Sequence, residues 1–364
     1  MVGNLGWLKG YEALSREAGN VPNTQEAAYS LRHLAELGLL PQSAVNSMLV
    51  DSGLYDYHWH MVWADESPTP DEALEQRIGE ADGYVIFLHG WLGSHAIWED
   101  LPGILLTKNN RLVCLVADHN GFGGTAFSGD MPIFDLCSPV GAMRATEGWL
   151  ALLGLRRQLG DPKPKTINFV GHSMGGAMLF FAREEAWRVG EMTRLALAPA
   201  LLLHDEAHRA FYTTLGLGIG LVGRIKALEL VENLVKPSVV ETLAGGATQS
   251  VKDEHARIYE ATPRSITART FAAMGVIQKH PEPHRWELMK VILGHQDVLV
   301  GLIPAIDLLQ ELDFEVTQMR VVMGTHYFFS VGNESKKWHR QNLAIVLEDI
   351  LHLHEHALRR QRNG

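Results

Sequence analysis

The chain has 364 residues, of which 46% are hydrophobic and 20% are charged, and it carries a formal net charge of −10. This length and composition are those of a globular protein that buries a sizeable core, and they exclude a disordered or fibrous chain. The excess of Asp and Glu would repel a phosphate backbone, which excludes nucleic acid as a partner.

Two cysteines occur, Cys114 and Cys137, and they lack the Cys-x-x-Cys spacing of a metal or redox site. We therefore expect reduced thiols in a cytoplasmic protein. The first residues contain no continuous apolar segment of the kind found in secretory signals, and no apolar run reaches the roughly 18 residues of a spanning helix. The sequence thus predicts a protein with no membrane span.

In chain order, residues 25–50 carry apolar side chains at helical spacing on either side of Pro41, which predicts two short helices. Residues 55–63, "YDYHWHMVW", alternate strictly and predict one half-buried strand, with Tyr55, Tyr57 and Trp59 on its apolar face. We interpret residues 1–80 as an N-terminal helical extension that ends in this first strand.

Short apolar runs then follow, each with a glycine-rich turn and a helical segment: "YVIFLHG", "RLVCLVADHNG", "TINFVGHS", "RLALAPA", "MKVILGHQD" and "QMRVVMGTH". This rhythm predicts an α/β protein with a mostly parallel, doubly wound sheet, which binds its ligand at the carboxyl ends of the strands. Residues 201–285 interrupt the rhythm with a helical pattern. We predict that they form a cap inserted into a core of residues 81–200 and 286–364.

One serine lies in the pattern Gly171-x-Ser173-x-Gly175, between a predicted strand and a predicted helix. The pattern alone is common, but this context is the one in which a serine becomes an exposed nucleophile. Side chains at either glycine would collide with the adjoining strand or helix. The backbone N–H of Met174, at the start of the helix, would point at any oxyanion that forms.

Two further motifs give the sequence its resemblance to a known family. "HGWLGSHAIW" at 89–98 and "DHNGFGGT" at 118–125 resemble the oxyanion loop and the glycine-rich turn of the α/β-hydrolases that carry a helical cap. The resemblance implies that the Trp91 N–H is the second oxyanion donor and that His89 shapes its loop. Thr125 stands where serine is more usual in the family.

A serine hydroxyl becomes a good nucleophile only when a base removes its proton. Asp297 and His326 each follow a predicted strand and a glycine, in the family order of serine, acid and histidine. We therefore predict that Ser173, Asp297 and His326 form a catalytic triad.

Other side chains compete for two of these roles. Asp205 and Glu206 follow the preceding strand and are alternative acids, and His339 and His295 are the next candidate bases. His172, beside the nucleophile, cannot easily turn its ring onto the neighbouring hydroxyl, so we expect a packing role for it.

The predicted activity is hydrolysis of a carboxylic ester, or a related acyl bond, of a small to medium apolar substrate through an acyl-enzyme on Ser173. The resemblance implies no cofactor and no metal. Carbon–carbon bond hydrolases and cofactor-free perhydrolases use the same triad and remain alternatives. A ligand-binding protein that retains the fold without catalysis is a second class, and self-association through residues 1–80 stays open.

Three further patterns suggest other chemistry. Gly218-x-Gly220-x-x-Gly223 spells a dinucleotide fingerprint, but no convincing strand precedes it, so we interpret it as part of the cap. The pairs His58 with His60 and His352 with His356 each share one face, yet neither has a third metal ligand nearby in the sequence. We expect both pairs to be solvated surface.

Overall fold

The structure of the chain is a computed structural model. It describes residues 24–64, 78–155, 165–183, 192–201, 240–275, 286–331 and 337–363, together with residues 74, 76, 206, 207, 209, 210, 213, 214, 216, 218 and 281.

A central sheet of eight strands organises the fold, in the order β1-β3-β5-β4-β7-β8-β9-β10. Six strands run parallel, whereas β1 and β3 pair antiparallel at one edge, and a separate two-stranded sheet joins β2 and β6. The strands are β1 Thr24–Ser30, β2 Leu54–Asp56, β3 His58–Ala64, β4 Gly83–Leu88, β5 Leu112–Asp118, β6 Ala126–Phe127, β7 Thr166–His172, β8 Met192–Leu197, β9 Met289–Gly294 and β10 Met319–Val322.

Helices cover both faces of this sheet. Those described are α1 Leu31–Glu36, α2 Gln42–Ser52, α3 Leu101–Lys108, α4 Phe134–Cys137, α5 Pro139–Leu152, α6 Met174–Met178, α7 Gln249–Ala261, α8 Arg264–Gly275, α9 Leu302–Glu311 and α10 Lys337–Asn363. None of them is long and apolar enough to cross a membrane.

The two largest apolar clusters of the core lie on opposite faces of the sheet, and a third, smaller cluster contains Trp91 and Met174. Alternate residues of β4 divide between the two largest clusters, since Ile86 and Leu88 belong to one and Val85 and Phe87 to the other. Every residue of β4, β5 and β7 is buried. Burial on both faces explains why these strands are continuous apolar runs rather than alternating ones. The prediction of a mostly parallel, doubly wound sheet is confirmed.

The N-terminal region differs from its prediction. Residues 24–30 form an edge strand rather than the beginning of a helix, and the helical pattern begins only at Leu31. The single strand predicted over 55–63 is divided at Tyr57 into β2 and β3. Tyr55 was expected on the apolar face but is 58% exposed, because β2 pairs with β6 instead of joining the central sheet.

The predicted cap is described in part. Helices α7 and α8 lie within residues 201–285 and precede β9 in the chain, and the glycine pattern at 218–223 falls mostly outside the described residues. The division into an extension, a core and a cap stays a prediction.

Candidate active site

Ser173 lies at the sharp turn between β7 and α6, at the carboxyl edge of the sheet. Its backbone has φ 53° and ψ −114°, a strained conformation that is rare for a residue with a side chain. Its N–H donates to Leu197 O (2.9 Å), and its carbonyl accepts from Ala177 and Ala200 (2.9 Å each). These three bonds hold the turn in place although its conformation is unfavourable.

The flanking glycines are required by close packing of backbone atoms. A Cβ added to Gly175 would lie 2.1 Å from Leu88 O, and one added to Gly171 would lie 2.3 Å from Gly175 O. Both distances are far below contact distance, and neither obstacle is a flexible side chain. A side chain at either position would therefore collide with backbone atoms, as the sequence predicts.

His326 and Asp297 follow β10 and β9, respectively, and their side chains meet. His326 Nδ1 lies 2.7 Å from Asp297 Oδ2, and the two side chains are 7% and 4% exposed. The other carboxylate oxygen, Oδ1, accepts from the backbone N–H groups of Leu299 (2.9 Å) and Val300 (3.2 Å). Asp297 is thus fixed by two amides and directs its free oxygen at the imidazole.

The pKa of Asp297 lies below its ordinary value. Burial acts to raise this pKa, but the charge and hydrogen bond of His326, with the amides of Val300 and Leu299, outweigh burial. The carboxylate is therefore ionised at neutral pH and holds the proton of His326 on Nδ1. That arrangement leaves Nε2 of His326 free to accept a proton.

Ser173 and His326 line the same cleft. The other residues that line it are predominantly apolar or aromatic, with several from the region after β8: Gly90, Trp91, His172, Leu243, His255, Phe271, Met274, Leu299 and Tyr327. The structure therefore brings the predicted nucleophile and base to one apolar cleft, with the predicted acid directly behind the base.

The two predicted oxyanion donors flank Ser173. Met174 is the first residue of α6, where a backbone N–H has no acceptor within its own helix. Trp91 lines the cleft, and its indole N–H donates to Thr270 Oγ1 (3.0 Å) in α8, which ties this loop to α8. His89 Nδ1 donates to Gly90 O (2.7 Å) and so shapes the same loop.

A group of side chains lies behind the base; His172 has the packing role expected for it, whereas His255 and Tyr327 were missed by sequence reasoning. His172 Nε2 donates to His326 O (3.2 Å), and its ring lies 4.5 Å from the His326 ring. His255, from α7, places Nε2 2.5 Å from the Tyr327 hydroxyl. The only sequence signal was the position of His172 and Tyr327 next to predicted catalytic residues, whereas α7 is remote in the chain.

Burial keeps these histidines neutral. It lowers the pKa of His255 to about 4 and places the pKa of His172 well below its ordinary value, and the nearby charge of His326 adds to the effect at His172. Near neutral pH they therefore act as hydrogen-bonding and packing groups around His326 rather than as competing bases.

The alternative side chains lie elsewhere. Glu206 is exposed and 3.9 Å from Arg209, and Asp205 lies outside the described residues. His295 is exposed, and His339 is buried against Trp338, with 3.8 Å between the ring centroids. None of the three described alternatives lines the cleft that contains Ser173.

The fold is the α/β-hydrolase fold. Residues 83–201 match the family model described as alpha/beta hydrolase fold. The chain is an α/β-hydrolase-fold protein. A comparison with curated proteins finds none that matches it in sequence.

Solved structures show the same fold over most of the chain. A hydrolase from Pseudomonas aeruginosa is 14% identical with a TM-score of 0.52, and the match covers 82% of this chain and 94% of that one. The enol-lactonase from Burkholderia xenovorans is 13% identical with a TM-score of 0.52 (83% and 96% covered). A thermophilic esterase from Thermogutta terrifontis is 13% identical with a TM-score of 0.51 (82% and 95% covered). At these identities the likeness establishes the fold.

Proposed function

We propose that this protein is a serine hydrolase that cleaves a carboxylic ester, or a related acyl bond, of a small to medium apolar substrate. Ser173 Oγ attacks the carbonyl carbon while His326 Nε2 accepts the hydroxyl proton, and Asp297 stabilises the imidazolium. The N–H groups of Trp91 and Met174 bind the oxyanion. Protonated His326 then gives its proton to the leaving alcohol, and a water molecule, activated by His326, hydrolyses the acyl-enzyme.

The observation that carries this proposal is the convergence of three groups from separate strands. Ser173, in a strained turn, shares one cleft with His326. Nδ1 of His326 is 2.7 Å from the buried, ionised carboxylate of Asp297. Each group has the state that acyl transfer requires, since the carboxylate is charged and its oxygen sets the tautomer of the base.

The lining of the cleft supports an apolar substrate. Leu243, Phe271, Met274 and Leu299 surround Ser173, and none of these side chains offers a charge to bind an ionic group. The names of two proteins with a similar fold, an enol-lactonase and an esterase, describe cleavage of acyl–oxygen bonds and agree with this substrate class.

The test is a fluorophosphonate probe together with a panel of aryl esters of increasing acyl length. We expect one covalent label on Ser173 and turnover that is lost in Ser173→Ala but retained in Ser128→Ala, a matched change at an exposed serine. Removal of a triad nucleophile typically lowers kcat by about a millionfold. Ester turnover that survives in Ser173→Ala would contradict the assignment.

Assays on the same purified protein distinguish the proposed esterase activity from the alternative functions. A vinylogous diketone turned over in preference to every ester would favour a carbon–carbon bond hydrolase, and oxidation of halide in the presence of peroxide and acetate would favour a perhydrolase. Failure of the probe to label purified, folded protein would favour a ligand-binding protein without catalysis. A cytoplasmic location and self-association stay predictions.

A further inference from the structure

A second cluster of ionisable side chains lies on the antiparallel edge of the sheet, outside the cleft of Ser173. Glu26 on β1, His60 on β3 and His95 after β4 each bring one potential ligand atom within 4.8 Å of the other two. Glu26 and His95 are both remote from His60 in the sequence, so the sequence gives no indication of a third ligand near the pair of His58 and His60. His60 is less solvated than the sequence predicts, since its side chain is 21% exposed and bonded to Glu26.

The strand register explains how two of these side chains meet. Ala28 pairs with His60 and Glu26 with Val62, so Glu26 and His60 lie diagonally on one face of the sheet. His60 Nδ1 is 2.6 Å from Glu26 Oε1, and the His60 ring stacks on the His95 ring at 3.5 Å with an interplanar angle of 17°.

His95 is oriented by a buried carboxylate, in the manner of metal-binding histidines. Asp118 Oδ1 accepts from both the His95 backbone N–H (2.7 Å) and His95 Nδ1 (3.0 Å), while Oδ2 accepts from the Gly124 N–H (2.7 Å). Because Nδ1 of His95 donates its proton to Asp118, the lone pair of this imidazole is on Nε2. One ring nitrogen is thus held in the protonated state and the other is available to a ligand.

The electrostatic environment favours a cation at this position. Carboxylates lie against both imidazoles, since Glu26 Oε1 is 2.6 Å from His60 Nδ1 and Asp118 Oδ1 is 3.0 Å from His95 Nδ1. The carboxylate of Glu254 is also close, because it accepts from the hydroxyl of Ser94, the residue before His95.

The cluster opens into a cleft that gives an ion access from solvent, and the acidic side chains of Glu99 and Asp100 also line this cleft. Two imidazoles and one carboxylate are the donor set of Zn²⁺ and related transition ions rather than of Ca²⁺ or Mg²⁺, which take oxygen ligands. We infer that Glu26, His60 and His95 form a binding site for a divalent transition-metal ion of the zinc type, with Asp118 orienting His95.

Binding releases to solvent the proton that His60 and Glu26 share, and the ligand side chains must move to surround the ion. Around a tetrahedral zinc, ligand atoms at about 2.0–2.1 Å from the ion lie roughly 3.3 Å apart. The contact of 2.6 Å between His60 and Glu26 must therefore open by several tenths of an ångström, and the two stacked rings must tilt toward the ion. Water completes the coordination.

The ion would link β1 and β3 to the segment that follows the loop from His89 to Ser94. This loop contains Trp91, the proposed oxyanion donor, four residues before His95. A bound ion would therefore stabilise the edge of the sheet and the end of that loop together, so its effect is measurable as thermal stability whether or not the proposed hydrolase activity exists.

The experiment titrates the full chain, stripped with EDTA, with ZnCl₂ by calorimetry and with CoCl₂ by visible absorption. We expect one equivalent to bind with micromolar or tighter Kd, a cobalt spectrum of four-coordinate type and a rise in the thermal midpoint. His60→Gln and Glu26→Gln should each weaken binding at least tenfold. Glu26 is largely exposed, so that variant tests the site even if the His60 variant fails to fold.

The matched control is the histidine pair of α10, in which His352 is exposed and His356 is half-buried, with 6.4 Å between the ring centroids. The double variant His352→Gln with His356→Gln should leave the Kd unchanged. The site would be overturned if neither ion showed saturable binding when the ion is present at 100-fold excess over about 1 µM protein. It would also be overturned if the α10 double variant abolished binding while His60→Gln retained it.

Discussion

The substitution Asp297→Asn isolates the role of the carboxylate because the structure dictates how asparagine must lie. Oδ1 accepts two backbone N–H groups, at 2.9 Å from Leu299 and 3.2 Å from Val300, so only the amide oxygen fits at this position. The side-chain NH₂ must then face His326 Nδ1, where the carboxylate oxygen lies at 2.7 Å. An NH₂ group can only donate, and it therefore forces the imidazole proton onto Nε2.

A proton on Nε2 prevents His326 from accepting the proton of Ser173. For a base held in the wrong tautomer we expect kcat to fall by about 10⁴, which corresponds to about 5.4 kcal/mol at about 1.36 kcal/mol per tenfold change in rate. The fold should survive, because Oδ1 still accepts hydrogen bonds from both backbone N–H groups and the buried side chain becomes neutral.

The assay is steady-state hydrolysis of an aryl ester, with circular dichroism and urea unfolding to confirm that the variant is folded. Asp307→Asn, at an exposed position of α9, is the matched control and should keep wild-type kcat. A kcat for Asp297→Asn within tenfold of wild type, in folded protein, would refute the reasoning, since the contact between Asp297 and His326 would then not set the tautomer.

Two further predictions concern stability and the nucleophile turn. His255 has a pKa of about 4 in the folded protein and about 6.5 in the unfolded chain. Between these pH values the unfolded chain binds one more proton than the folded protein. The free energy of unfolding therefore falls on acidification from pH 6.5 to 4. His255→Gln should remove up to about 1.4 kcal/mol per pH unit of this slope in urea unfolding, and His352→Gln should leave it unchanged. Gly175→Ala places a Cβ 2.1 Å from Leu88 O and should abolish fluorophosphonate labelling, whereas Gly129→Ala meets no atom within 4 Å; equal labelling of the two variants would contradict the steric argument.

The buried strands could be predicted because burial on both faces leaves a clear signal in the sequence. β4, β5 and β7 are continuous apolar runs that end in glycine-rich turns, and this pattern is independent of the rest of the chain. The edge strand β1 carries no such signal. Its sequence, "TQEAAYS", contains good helix formers, and it is extended because its backbone pairs with β3, about thirty residues later.

What the sequence by itself determined was the class of fold and the candidates for nucleophile, acid and base, because periodicity, glycine turns and motif order are local properties of a chain. Only the tertiary structure decided which side chains meet. Asp297 rather than Glu206 lies against His326, and Glu26 and His95 lie beside His60. These contacts depend on strand register and loop conformation, which arise from packing across the sheet and leave no trace in the spacing of residues along the chain.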